Sequence, residues 1–142
     1  MIAPYFADTN VLVYAYDLDE PAKRGRARQI MSELGLRGDL GISTQVLKEF
    51  YAVTTRRLRR PLSPDQAARA VAALAEYPVV VEDVALIRRA ITLSQGAGIA
   101  FWDSLIVEAA RRAKARILYT EDLQHGRDFD GLMVENPFRE LP

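Results

Sequence analysis

The chain has 142 residues, 49% of them hydrophobic, and its nineteen Lys and Arg balance nineteen Asp and Glu. That is enough apolar sequence to bury a core as a single domain over residues 1–142, and zero net charge excludes binding through a global basic field. The absence of cysteine removes disulfide frameworks, thiolate metal sites and cysteine nucleophiles.

Tyr5–Ala7 is a short apolar run after Pro4 and reads as a first strand that ends at Asp8. Val11–Tyr16 fits a short helix. Asp19-Glu20-Pro21 marks the next helix start, since proline suits the first turn and acids favour the N-terminal dipole. That helix is expected to reach about Leu36, with Ile30, Met31 and Leu34 inward and Gly35 and Gly38 ending it. Leu40–Ile42 reads as a second strand, and Ser43 caps a helix from Thr44 to about Leu58. Val46, Leu47, Phe50 and Val53 fall at helical spacing on its buried face.

Ser63-Pro64-Asp65-Gln66 combines a capping box with proline at the first helical position. Tyr77–Val81 is β-branched and apolar, so a buried strand is expected there. Asp83 caps a helix from Val84 to about Gln95, broken by Gly96 and Gly98. A further helix spans about Phe101 to Ala113 and buries Leu105, Ile106, Ala109 and Ala110. Arg116–Tyr119 and Leu132–Val134 are the last strands, and Pro137 closes the fold. Strands alternating with helices predict a parallel sheet covered on both faces. No run is long enough to span a bilayer and no basic-then-apolar leader opens the chain, so a cytoplasmic protein with no membrane contact is expected.

Four acids lie where the chain leaves a strand or enters a helix: Asp8, Glu49, Asp103 and Asp122. Each has an ordinary structural explanation. Asp8 and Asp122 are placed to cap turns, Glu49 to pair with Lys48 or Arg56, and Asp103 to offset a helix dipole. Jointly they say more. The carboxyl ends of strands in an open α/β sheet converge on one crevice, and several carboxylates there repel each other unless a cation holds them. Oxygen-only ligands with no histidine cluster favour Mg²⁺ or Mn²⁺ over zinc. Phosphoryl chemistry, above all nucleic-acid cleavage, follows.

The remaining motifs remove competitors. His125 is the only histidine, which excludes a two-histidine acid–base ribonuclease. There is no Gly-x-Ser-x-Gly elbow, no Walker-type phosphate loop and no Gly-x-Gly-x-x-Gly signature. Basic residues cluster at Lys23, Arg24, Arg26 and Arg28 and at Arg56, Arg57, Arg59 and Arg60, where guanidinium forks suit phosphate oxygens. The alternative class is a non-catalytic acidic-pocket α/β module, either RNA-binding or phospho-receiver-like. A receiver would carry paired acids after its first strand and a lysine after a late one, whereas this chain has Asp8-Thr9-Asn10 and Thr120-Glu121-Asp122.

Asp8-Thr9-Asn10-Val11-Leu12, Ser43 through Glu49, Trp102-Asp103-Ser104-Leu105-Ile106 and Leu118 through Gly126 together resemble the PIN-domain family. Within it the chain is most similar to the VapC-type toxin ribonucleases, over essentially its whole length. The resemblance implies a three-layer α/β/α domain around a central parallel sheet. It also implies a Mg²⁺- or Mn²⁺-dependent endoribonuclease whose catalytic and metal-binding acids are Asp8, Glu49, Asp103 and Asp122, with Glu121 the adjacent alternative to Asp122. Thr9, Asn10, Ser43 and Thr120 would support these acids. Such proteins usually form homodimers and are neutralised by a small antitoxin that inserts a segment into the groove.

Overall fold

In the computed structural model, which describes residues 1–142, six strands form one sheet. They are β1 (Tyr5–Ala7), β2 (Leu40–Ser43), β3 (Val79–Val80), β4 (Ile117–Tyr119), β5 (Asp128–Phe129) and β6 (Leu132–Glu135). Their order across the sheet is β3-β2-β1-β4-β6-β5. All neighbouring pairs are parallel except β5 and β6, a hairpin whose turn places Asp130 and Gly131 at positive φ.

Six α-helices connect and cover the strands: α1 (Thr9–Tyr14), α2 (Pro21–Ile30), α3 (Thr44–Arg56), α4 (Pro64–Leu74), α5 (Val84–Ala97) and α6 (Phe101–Arg112). From β1 the chain steps to β2 and then β3, always in one direction. It then crosses back to β4 on the other side of β1. Right-handed crossovers therefore send α1–α4 to one face of the sheet and α5–α6 to the other. The packing agrees: α1 packs on α2 and α3, α3 packs on α4, and α5 packs on α6. The result is an α/β/α arrangement with a mostly parallel central sheet. The strand order reverses between β1 and β4, and such switch points open a crevice at the carboxyl ends of the strands.

The core lies on both faces of this sheet. Phe6, Leu40, Ile42 and Leu118 are fully buried strand residues, joined by Phe50 and Ile106 from the helices. Each such side chain contributes roughly 2–3 kcal/mol on leaving water. Phe6 pairs in register with Gly41, and the missing side chain there makes room for the Phe6 ring and Ala3. The capping box at Ser63 and Gln66 forms as expected, with Ser63 Oγ accepting from Gln66 N at 3.1 Å and Gln66 Oε1 from Ser63 N at 2.9 Å.

Several boundaries differ from expectation. The Tyr77–Val81 run forms only a two-residue strand at the sheet edge, and Val81 is 66% exposed. Apolar, β-branched sequence reports strand propensity but not position in the sheet, and an edge strand has neighbours on one side only. The helix after Glu20 ends at Ile30 and continues as a π-helical turn, Met31–Gly35, whose last residue lies against the Tyr77 ring. Gly96 does not break α5. The helix runs through it to Ala97, and Gly98 ends it at φ 66°. Strand β5 had no sequence signal, because two residues are too few to show alternation. No single helix is long and apolar enough to cross a membrane.

Candidate active site

Asp8 follows β1 and Asp122 lies just beyond β4, so the switch point brings them together. Asp103 reaches the same crevice from the first turn of α6. One carboxylate oxygen from each of Asp8, Asp103 and Asp122 lies within 4.8 Å of the other two. Glu49, on α3, is not in this mutually close set. It lines the same cavity of about 350 Å³ together with Asp8, Asn10 and Asp122. Gln45, one turn earlier on α3, donates from Nε2 to Glu49 Oε1 at 2.7 Å and fixes that carboxylate.

Asp8 is the most constrained member. Its Oδ1 accepts from the Thr9 backbone N–H at 2.7 Å, so it does cap α1 as well as face the crevice. Its Oδ2 accepts from Thr120 Oγ1 at 2.8 Å. Burial pushes the carboxyl up to about 7, helped by the charges of Asp122 and Glu49, while the bonds from Thr120 and Thr9 oppose the shift. Asp103 is raised in the same way, first by burial and then by Asp122 and Glu49. The folded chain thus gathers negative charge that it does not itself neutralise.

Asn10 and Thr120 organise the cluster. Asn10 Nδ2 donates to Asp122 Oδ2 at 3.1 Å and lies 3.4 Å from both Asp8 Oδ2 and Thr120 Oγ1. Thr120 Oγ1 also accepts from the Asp122 backbone N–H at 3.1 Å. Of the other supporting residues expected from sequence, Ser43 is engaged elsewhere, its Oγ accepting from Val46 N at 3.3 Å as the cap of α3. Thr9 turns its hydroxyl into a buried position with no hydrogen-bond partner.

The two adjacent acids after β4 point apart. Glu121 accepts from Tyr14 Oη at 2.6 Å and forms a 2.7 Å salt bridge with Lys23, fastening α1 and α2 to the loop. Asp122 alone of the pair joins the cluster. Gln45 went unnoticed in the sequence, and its only signal was the four-residue spacing from Glu49 on one helix. Glu49 makes no ion pair with Lys48 or Arg56, and Arg57 lines the acidic cavity instead. His125 lies in an exposed loop, where Nδ1 accepts from Asn136 N at 3.1 Å.

The donor set fits a hard divalent cation. Three carboxylates from separate elements converge, with no sulfur or imidazole among them, and the charges raise one another's proton affinity.

No curated protein matches the sequence of this chain. Solved structures do match its shape. A toxin–antitoxin complex from Klebsiella pneumoniae superposes with a TM-score of 0.68 at 18% identity, covering 91% of this chain and 95% of that one. VapC20 of Mycobacterium tuberculosis, a toxin that cleaves the sarcin–ricin loop, gives 0.65 at 20% identity, with 83% and 89% covered. VapBC2 from Rickettsia felis, bound to a DNA fragment from its promoter, gives 0.61 at 20% identity, with 95% and 98% covered. These likenesses establish a common fold. The PIN-domain family model matches residues 5–128, from the first strand through the start of the hairpin. With acids at the ends of β1 and β4 and at the start of α6 drawn to one switch point, this chain belongs to the PIN-domain family.

Proposed function

We propose that the protein is a Mg²⁺- or Mn²⁺-dependent endoribonuclease of the VapC type, the toxin of a toxin–antitoxin pair. The observation that carries this reading is the convergence of Asp8, Asp103 and Asp122 oxygens within 4.8 Å, beside Glu49. Asp8, Asp103 and Asp122 would hold the cation, and Glu49 would join them directly or through water. When bound, the cation offsets charge on the scissile phosphate and makes an attacking water more acidic.

The chain's own residues supply the rest. Thr120 and the Thr9 N–H hold Asp8 in one rotamer, so its free face stays toward the crevice. Asn10 bridges Asp8 and Asp122, and Gln45 ties Glu49 to the Trp102 carbonyl at the start of α6. Where Glu49 does not itself hold the cation, its carboxylate, kept by Gln45 beside the close set, would accept a proton from an incoming water. Arg57 at the cavity rim is placed to hold a backbone phosphate, which positions RNA without reading its sequence.

Residues 1–142 would act as a single nuclease domain in the cytoplasm, as a homodimer, with a small antitoxin covering the acidic crevice. The occurrence of the same fold in toxin–antitoxin and VapBC assemblies supports that partner. The test is cleavage of an RNA pool with Mg²⁺, Mn²⁺ or EDTA, by the native protein and by Asp8→Asn and Asp103→Asn. Metal-dependent cleavage that falls about 100-fold or more in both variants supports the assignment. Equal cleavage by all three would reveal a contaminating nuclease and sink it.

A further inference from the structure

One ridge of α3 runs past the acids and into a second cavity. Gln45, Glu49, Val53 and Arg57, the last at the C-cap, recur every four residues and therefore lie along one side of the helix. The ridge from Gln45 to Arg57 is about 18 Å long. Beyond Glu49, away from Arg57, lies a slot of about 430 Å³ lined by Gln45, Lys48, Glu49, Glu82, Trp102 and Leu105. Glu49 lines both cavities, so slot and acidic crevice adjoin at its side chain.

Trp102 is the chain's only tryptophan and is 66% exposed, one residue before Asp103. Its position is nonetheless braced. The Phe101 ring meets the indole edge-on with centroids 5.4 Å apart, and buried Gln45 donates from Nε2 to the Trp102 carbonyl at 3.3 Å. The residue that fixes Glu49 therefore also fixes the backbone of the exposed indole.

We propose that this slot is a nucleobase subsite, in which an unpaired RNA base stacks on Trp102 while Lys48 and Arg57 hold backbone phosphates to either side of the acids. The proposal rests on the nuclease reading above. An indole face stacks on any base, and a base held in a duplex cannot reach it, so the substrate is single-stranded next to the cut bond. Charge sorts the parts of the nucleotide. The carboxylates of Glu49 and Glu82 in the slot repel phosphate, so the base and not the backbone enters it. Neither Lys48 nor Arg57 is committed to an ion pair within the chain, which leaves both cations free for phosphate. A slot that adjoins the acidic crevice at Glu49, with Lys48 in one and Arg57 in the other, matches a track for a single strand.

Because Trp102 is the sole tryptophan, its fluorescence reports on this slot alone. The probe is a mixed-sequence single-stranded RNA oligonucleotide titrated into the Asp8→Asn protein, beside the same oligonucleotide annealed to its complement. Quenching by the single strand and not by the duplex is expected. In the otherwise native protein, Trp102→Ala should raise KM for single-stranded RNA about tenfold or more while kcat and thermal stability hold, and Trp102→Phe should restore KM. Native cleavage together with an unchanged KM in Trp102→Ala would overturn the subsite and leave the nuclease standing. Quenching without any cleavage by the native protein would support the slot and count against the nuclease. A Trp102→Ala protein that sediments as a monomer where the native one is a dimer would make this face a contact between copies and overturn the proposal.

Discussion

The Thr120 hydroxyl donates a 2.8 Å hydrogen bond to Asp8 Oδ2 across 112 positions of sequence, and accepts one from the Asp122 backbone N–H at 3.1 Å. One buried hydroxyl thus joins the ends of the two central strands and holds two of the clustered acids in place.

Thr120→Val keeps the volume and removes both interactions. It leaves a buried carboxylate and a backbone N–H without their partner, which costs about 1–3 kcal/mol. The loss should appear as a lower midpoint in urea denaturation. Cleavage should fall about 10–100-fold, in the range seen when a group supporting metal ligands is removed. Thr120→Ser, which keeps the hydroxyl, should retain both properties.

Asp8 gives the metal-free protein a distinct pH dependence. Burial pushes its carboxyl from an ordinary 3.8 up to about 7. Between those values the folded chain holds a proton that the unfolded chain has released. Stability from this group is therefore complete below about pH 4 and is lost as pH rises through about 7. In EDTA, the melting temperature of the native protein should fall across that window relative to Asp8→Asn, and parallel curves would refute the assignment. Protons and divalent cations compete for the same oxygens, so added Mg²⁺ should stabilise the native protein more above pH 7 than below it.

Asp122 and Glu121 are neighbours with different work. Asp122→Asn removes an oxygen of the close set, so cleavage and the stabilisation by Mg²⁺ should both be lost. Glu121→Gln weakens a partly exposed pair with Lys23, a cost of about 1 kcal/mol at most after solvent screening. Its cleavage should stay near the native rate. A reversal of these outcomes in side-by-side assays would reassign the fourth acid.

Gly41→Ala tests the packing beneath the site. The added Cβ would lie 2.9 Å from Ala3 Cβ and 3.1 Å from the Phe6 ring. Both neighbours are fully buried, so the strands must shift, at about 1–3 kcal/mol. Chemical denaturation should show that loss, with Mg²⁺ affinity of the folded protein unchanged.

Local chemistry was legible residue by residue. Ser63 and Gln66 form their capping box, Asp83 caps α5 through Leu86 N at 2.9 Å, and Asp8 and Asp103 sit at a strand end and in a first helical turn. These outcomes depend on residues a few positions apart, so a short stretch of chain carries the information. Tyr77–Val81 and Gly96 misled for the converse reason. Whether an apolar strand lies at the centre or edge, and whether a glycine ends a helix, depends on what packs against it.

The amino-acid sequence by itself determined which residues carry charge and that Asp8, Asp103 and Asp122 fall at or just beyond element ends, because capping, periodicity and turn preference act over one or two turns of chain; Glu49, expected at such an end, lies in the middle of α3. The α/β alternation and the set of acids follow from that alone. Only the tertiary structure decided which acids meet. The order β3-β2-β1-β4-β6-β5 puts the ends of β1 and β4 side by side, so Asp8 and Asp122, more than a hundred residues apart, share Asn10 and Thr120. It also turned Glu121 toward Lys23, left Glu49 just outside the close set, and left the Trp102 ring open to solvent beside them. Contacts of that kind are set by strand order and crossover handedness, which are properties of the whole packed chain and of no segment within it.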